Sequence, residues 1–389
     1  MAEGPEQVDV VVVGAGFAGL YMLHRLRQHA LAARVIEAGD GVGGTWYWNR
    51  YPGARCDVES MEYSYGFDED LQQEWEWTER YAPQAEILAY AEHVADRFDL
   101  RRDIELSTRV TAATFDDATD TWLVATDREL RLRARFVVMA TGCLSAANIP
   151  DLPGAGTFAG SSYHTGHWPH EGVDFSGQRV GVIGTGSSAI QSIPVIAEQA
   201  AALTVFQRTP SYTVPAWNQP LDPVAVKEIK ADYAGLRAEQ RQMWTGFGSR
   251  IPRHDGSALD ATPEEREAEL ERRWAYGGLT FLAAYTDLLI SPDANAHAAD
   301  FVRRKLHEIV QDPEVARKLT PTTIIGCKRL CVDTGYWATF NRPNVDLVDL
   351  RETPIEAVTP TGIRTTGAHH ELDAIVYATG FDAMTGALA

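Results

Sequence analysis

The sequence predicts an α/β chain of two dinucleotide-binding domains, the second carrying a helical insertion. Three observations predict it. A glycine-rich turn, Gly14-Ala15-Gly16-Phe17-Ala18-Gly19, joins a strand-like run to a helical pattern; the device recurs at Gly184-Thr185-Gly186-Ser187-Ser188-Ala189; and each unit closes on Ala-Thr-Gly, at 140–142 and at 378–380. A length of 389 residues suits two or three domains, and 45% hydrophobic residues supply their cores.

In the first unit Val8–Val13 reads as a buried strand and Leu20–His29 as a helix, followed by an apolar run ending in Glu37. Gly14 permits the tight turn, Gly16 lets the backbone approach a pyrophosphate, and Gly19 lets helix and strand pack closely. The helix N-terminus offers free N–H groups and a positive dipole end to phosphates. Glu37, 23 positions after Gly14, can accept hydrogen bonds from a ribose diol.

The second unit repeats the order. Val180–Ile183 enters the turn, a helical stretch follows, and Leu203–Phe206 ends in Gln207-Arg208, 24 positions after Gly184. Arginine now stands where the first unit has an acid, and a guanidinium pairs with a 2′-phosphate that a carboxylate would repel. This site is expected to prefer NADP(H); the plainer reading of Arg208 is a solvated charge at a strand end. Both units are Rossmann-like.

The strand-like segments 104–115, 121–126 and 129–135 lead to the first Ala-Thr-Gly, and 345–350, 355–358 and 362–366 to the second. Gly14 to Gly142 is 128 positions and Gly184 to Gly380 is 196, so the second unit holds an insertion. Residues 222–318 supply it with helical patterns, one beginning at Thr262-Pro263-Glu264-Glu265, where a capping residue, an N1 proline and an N3 acid coincide. The predicted domains are 1–148, 149–382 with insert 222–318, and 383–389 as the start of a return to the first.

Charge and composition narrow the function. With 35 Lys+Arg against 54 Asp+Glu the net charge is −19, which opposes binding to a phosphate backbone, so no nucleic-acid partner is expected. Cys56, Cys143, Cys327 and Cys331 form no metal-ligand spacing and suit a reducing, cytoplasmic setting. No signal-peptide pattern opens the chain, and the longest apolar stretch, Leu279–Ile290, is too short and too polar to cross a bilayer. No metal and no membrane partner are expected; oligomeric state is not legible.

Between the units lies Phe158-Ala159-Gly160-Ser161-Ser162-Tyr163-His164-Thr165-Gly166-His167-Trp168-Pro169, and after the first unit's second strand comes Gly43-Gly44-Thr45-Trp46-Tyr47-Trp48-Asn49-Arg50-Tyr51-Pro52-Gly53-Ala54-Arg55-Cys56-Asp57. With paired nucleotide sites, these segments resemble the type I flavoprotein Baeyer–Villiger monooxygenases, whose fingerprint is matched at Phe158, Gly160, His164, Trp168 and Pro169. The resemblance runs over essentially the whole chain and is nearest the phenylacetone and steroid monooxygenase branch. It implies FAD in the first domain, NADPH/NADP+ in the second, and a family C-terminal part absent beyond 389.

The resemblance also implies site residues. Phe17, Gly44, Thr45, Trp46, Asp57 and Tyr63 join Gly14, Gly16, Gly19 and Glu37 on the flavin side. Thr185, Ser187, Ser188, Gln191, Thr209 and Lys328 join Gly184, Gly186 and Arg208 on the nicotinamide side. In this family O₂ on the reduced flavin gives a peroxyflavin that attacks a ketone, and the adduct rearranges to an ester or lactone. Arg329, in Gly326-Cys327-Lys328-Arg329-Leu330, is the implied cation for the developing negative charge, held by Asp57. Clustering of Trp46, Tyr47, Trp48 and Tyr51 fits an isoalloxazine wall, against the alternative of ordinary core aromatics. His164 is as readily a structural residue as a chemical one. Lys328-Arg329 as a solvated basic pair, Asp57 as a helix cap, N- or S-oxygenation, and a remnant that only binds NADP(H) stay open. Which ketone is used is not legible.

Overall fold

The computed structural model describes residues 4–243, 245–248, 251 and 254–383. Residues 384–389, nearly all of the expected return segment, lie outside the described residues. The chain forms two compact units: one comprises the described residues up to Arg50, Gln84–Asn148 and the segment from Phe381; the other comprises Tyr51–Pro83 and Ile149–Gly380.

In the first unit, β1 (Glu6–Val13), β2 (Ala33–Ile36), β3 (Ile104–Glu105), β4 (Val110–Asp116), β5 (Thr121–Thr126) and β6 (Arg131–Met139) form one sheet in the order β3-β2-β1-β6-β5-β4. Strands β3, β2, β1 and β6 are parallel; β6, β5 and β4 run antiparallel. Val10, Val11 and Val12 are buried on both faces of the sheet, which is why β1 reads as a continuous apolar run. Helix Phe17–Gln28 buries Gly19, Leu20 and Leu23 against it, beside Ala91 and Ala95 of helix Gln84–Arg97.

The second unit is built on five parallel strands: β7 (Ser161–His164), β8 (Arg179–Ile183), β9 (Ala202–Gln207), and two that come later in the chain. Strand β10 (Thr213–Pro215) pairs with β11 (Cys331–Asp333); β12 (Val345–Asp349) returns to the main sheet. Strands β13 (Ile355–Thr359), β14 (Gly362–Thr365) and β15 (His369–Glu371) form an antiparallel meander leading to β16 (Ala374–Tyr377), and the main sheet reads β12-β9-β8-β16-β7. The fingerprint, which lies between the two units in the sequence, thus supplies an edge strand, with Tyr163 opposite Val376 and His164 opposite Tyr377.

The insertion is helical where described: Pro223–Ala231, Tyr233–Gln242, Pro263–Tyr276, Pro292–Ile309 and Pro313–Leu319. Thr262 and Glu265 form the anticipated capping box with Pro263 at N1. The stretch from Leu279 begins as a short 3₁₀ turn, and no described helix is long and apolar enough to cross a membrane.

Two limits differ from the sequence reading: the return to the first unit begins at Phe381 instead of 383, and 51–83 had been assigned to the first domain. Those residues pack within the second unit, and polar groups hold them there. Arg80 donates to the carbonyls of Tyr276 and Ala216, and buried Arg237 donates to the Glu62 carbonyl and the Gln72 side chain. Motif spacing along a chain cannot report such partners.

Candidate functional site

Each glycine turn is fixed by the Ala-Thr-Gly segment of its own unit. Gly14 has φ +104° and Gly184 φ +119°; a Cβ on Gly14 would lie 2.7 Å from the Ala140 carbonyl oxygen, and one on Gly184 2.3 Å from that of Ala378. A side chain at either place would part the turn from the closing strand, so the two motifs specify each other. In the first unit, helix Phe17–Gln28 starts at Gly16 with no side-chain cap, leaving its first N–H groups open. The Gly43-Gly44 turn crosses directly over: a Cβ on Gly44 would meet the Gly16 Cα at 2.7 Å. Glu37 is 5% exposed, its carboxylate accepting from Ala15 N at 2.7 Å and Gly39 N at 2.8 Å. An acid fixed at the strand end beside an uncapped helix start fits the ribose and pyrophosphate of a dinucleotide.

Two expected flavin-side residues are committed elsewhere. Phe17 packs into the sheet core with its ring edge-on to Tyr90 at 6.1 Å. Tyr47, offered by the sequence as part of an aromatic wall, covers Gly39 and Gly41 and hydrogen-bonds Asp40. Its ring fills space that side chains at those glycines would occupy, so it is a core aromatic. Trp46 is buried and Thr45 half-buried at the start of helix Thr45–Trp48. Tyr63 lies half-buried in the second unit, its N–H on the Glu59 and Ser60 carbonyls.

In the second unit, helix Ser187–Gln199 begins at Gly186, again uncapped, and, its chain neighbours aside, no atom of the described residues lies within 4 Å of where a Gly186 Cβ would be. That open face fits a phosphate approaching main-chain N–H groups. The neighbouring hydroxyls face protein instead: Thr185 donates to the Thr209 carbonyl at 2.8 Å, Ser187 contacts Cys331 Sγ at 3.3 Å, and Ser188 contacts Thr165 at 3.1 Å. Each of these three side chains, expected as a cofactor contact, thus has a protein partner as well. Arg208 and Lys328 are exposed and make no hydrogen bond or ion pair among the described residues, leaving both charges available to an anion.

Arg329 lies two residues before β11, which pairs with β10 through Cys331 opposite Thr213. Its Nη2 donates to Asp57 Oδ2 at 2.7 Å, across 272 residues of sequence. The pair is asymmetric: the Asp57 side chain is 3% exposed and that of Arg329 61%. Burial pushes the Asp57 carboxyl above the usual carboxylate range, with Arg329 and Gln191 opposing it. Burial also works against the Arg329 charge, but the Asp57 carboxylate outweighs it and the guanidinium stays firmly protonated. The result is a cation anchored at one nitrogen, with the rest of its fork open to a ligand.

Gln191, expected as a cofactor contact, has its side-chain amide on protein groups. It is 3% exposed, and its amide is bound to Asp57, Tyr51 and the Arg55 backbone. The Tyr51 hydroxyl was missed as a polar group because its partner is 140 residues distant. His164 is buried: its Nδ1 accepts from Gly166 N at 2.9 Å and its Nε2 lies 3.4 Å from the Thr379 hydroxyl. Trp168 packs on Tyr163 and Phe175, Phe158 joins the core under the meander, and Gly160 backs onto the Asp373 carbonyl. The Pro169 carbonyl accepts from Gly172 N. Of the two roles open for His164, this geometry is that of a structural residue.

Residues 11–245 match the family model described as pyridine nucleotide-disulphide oxidoreductase. A Baeyer–Villiger monooxygenase of Pseudooceanicola batsensis is 44% identical, over 97% of this chain and 69% of that protein. A phenazine N-monooxygenase of Lysobacter antibioticus is 42% identical, over 97% and 70%. The structure of an oxidized steroid monooxygenase bound to NADP superposes with a TM-score of 0.95 at 57% identity, covering 98% of this chain and 73% of that one. These relationships extend over both units, and solved relatives hold FAD and NADP. The chain belongs to the FAD- and NADPH-dependent Baeyer–Villiger monooxygenases.

Proposed function

We propose that this protein inserts one oxygen atom beside the carbonyl of a small-molecule ketone, giving an ester or lactone, with Arg329 as the catalytic cation and Asp57 as its anchor. The observation that carries the reading is the asymmetric pair itself: a buried carboxylate fixes one end of a guanidinium whose other donors stay open. FAD, reduced by NADPH, supplies the activated oxygen from O₂ when bound. The first unit would hold it through the N–H groups after Gly14 and Gly16, with Glu37 on the ribose and Gly19, Gly44, Thr45 and Trp46 shaping the turn. The second unit would hold NADPH at the Gly184–Ser188 main chain, with Arg208, Thr209 and Lys328 toward the 2′-phosphate.

Negative charge develops on oxygen during attack on the carbonyl and is greatest on the tetrahedral adduct. The open N–H groups of Arg329 stabilise that charge with little reorganisation, because Asp57 already anchors the guanidinium at one nitrogen. The same charge favours the deprotonated oxidant over its neutral form. The NADPH preference rests on Arg208, which is paired with no carboxylate among the described residues. The domain limits, and a cytoplasmic setting compatible with four unpaired thiols, belong to the same proposal.

A second reading, oxygenation of nitrogen, is favoured by the phenazine N-monooxygenase among the relatives. Product analysis after incubation with NADPH and O₂ separates them. Ester or lactone from a cyclic or aryl ketone supports the first; an N-oxide from an aromatic amine, with no ester from any ketone, replaces it with the second.

A further inference from the structure

We propose that Gln191 and Tyr51 are positioning residues for this reaction: the Gln191 amide, oriented by the Tyr51 hydroxyl, holds the Asp57 carboxylate in place against Arg329. The inference rests on the reading of Arg329 given above. Gln191 lies within helix Ser187–Gln199, whose first turn is the open nucleotide turn. Its Nε2 donates to Asp57 Oδ1 at 3.2 Å and to the Arg55 carbonyl at 3.1 Å. Its Oε1 accepts from the Tyr51 hydroxyl at 2.8 Å and from Arg55 N at 3.4 Å. Four contacts agree on one orientation of the amide. Flipping it would face its oxygen toward a carboxylate and a carbonyl, and its NH₂ toward the Arg55 N–H.

The backbone is shaped to allow this approach. Gly53 has φ +78°, and a Cβ there would lie 2.2 Å from the Gln191 carbonyl oxygen, so the Tyr51–Asp57 loop can lie on the helix only with glycine at that place. Asp57 Oδ1 is thereby taken by Gln191 and Oδ2 by Arg329, fixing the carboxylate at both oxygens. An Asp57 fixed at Oδ2 alone could rotate and carry the guanidinium with it. Because the helix bearing Gln191 also begins the nucleotide turn, cofactor seating and arginine placement share one rigid element.

The charged and titratable groups around Asp57 are few. Arg329 and Arg55 favour its ionised form. Cys56 and Cys331 stay neutral, their thiols pushed by burial up to about 12 and about 11. Tyr51 and Tyr81 are raised by burial and remain donors at any working pH. Glu59 and Glu62 line the same small cavity; Glu59 is bound by Arg80 and Tyr276, and Glu62 accepts from Gly248 N. Of the two donors on the Asp57 oxygens, Gln191 is the one whose loss leaves the cation intact. Losing it raises the Asp57 carboxyl further, and the acid limb of oxygenation moves to higher pH.

The test uses the full chain with aspartate ¹³C-labelled at the carboxyl, Asp57→Asn assigning the resonance. Gln191→Met, Gln191→Glu and Tyr51→Phe are compared with the parent for the Asp57 titration, and then for the pH profile of ester formation and of NADPH-driven flavin reduction. The Asp57 midpoint is expected to rise by about one pH unit in Gln191→Met and by more in Gln191→Glu, which keeps the volume but adds charge. Tyr51→Phe, the mildest change, moves it by less in the same direction. The acid limb of ester formation follows, and in the Asp57→Asn background Gln191→Met moves nothing further. An Asp57 titration unmoved in all three variants overturns the positioning role. Ester formation at the parent rate by Arg329→Ala overturns the reading of the reaction instead, since the titration is read without any turnover.

Discussion

Replacing Arg329 with alanine separates two steps that the parent enzyme runs in sequence. The guanidinium spends one nitrogen on Asp57 at 2.7 Å and keeps the others open. Losing such a donor set at a developing oxyanion costs about 3–4 kcal/mol, or about 10²–10³ in kcat. The fold is expected to survive. Breaking a buried ion pair typically costs about 3–5 kcal/mol because a charge is stranded. Here Asp57 is already raised by burial and, without Arg329, escapes by taking a proton, while the Arg329 side chain is 61% exposed. A loss of about 1–3 kcal/mol is the expected scale. Its sign with pH follows: the folded carboxyl binds its proton more tightly than the unfolded one, so the variant is most stable in acid and weakens as pH rises through the raised value. Anaerobic rapid mixing with NADPH should show flavin bleaching at close to the parent rate. In air, NADPH consumption should continue with little or no ester in gas chromatography. Ester formation at the parent rate, coupled to NADPH consumption, refutes the assignment.

Arg208→Ala should lower the preference for NADPH over NADH by about 2 kcal/mol, roughly 30-fold in the ratio of specificity constants, because among the described residues the arginine has no partner to release it from; an unchanged ratio removes Arg208 from the 2′-phosphate site. Thiol titration with Ellman's reagent at pH 8 should find two of the four cysteines reactive in the native chain, exposed Cys143 and Cys327, with buried Cys56 and Cys331 reacting only after denaturation. Prompt reaction of a third or fourth native thiol contradicts the burial that insulates Asp57 and Arg329.

Local pattern carried far in this chain because dinucleotide turns are local devices. Strand, glycines, helix and the residue closing the second strand lie within about 30 positions, and their roles follow from backbone geometry and charge sign. The two turns, Glu37 against Arg208, the insert and its Thr262 cap were therefore legible from residue order. The side-chain assignments were less so. Thr185, Ser187 and Ser188 sit in the right turn, yet nothing in residue order gives their hydroxyls' protein partners. Phe17 and Tyr47 are apolar enough to line a pocket or fill a core, and only packing tells which. His164 sits in a fingerprint whose wording says nothing of its partners, Gly166 and Thr379.

The sequence by itself determined the fold class, the two glycine turns and the opposite charges, Glu37 and Arg208, that follow their second strands, and through resemblance the chemistry. Tertiary structure decided where 51–83 belongs, how unequally the Asp57–Arg329 pair is exposed, and that the Gln191 amide is bound to Asp57, Tyr51 and Arg55. Those answers depend on contacts between residues 134, 140 and 272 positions apart. No periodicity or spacing encodes such pairs; they exist only once the sheet and its helix bring the loop, the turn and β11 to one place.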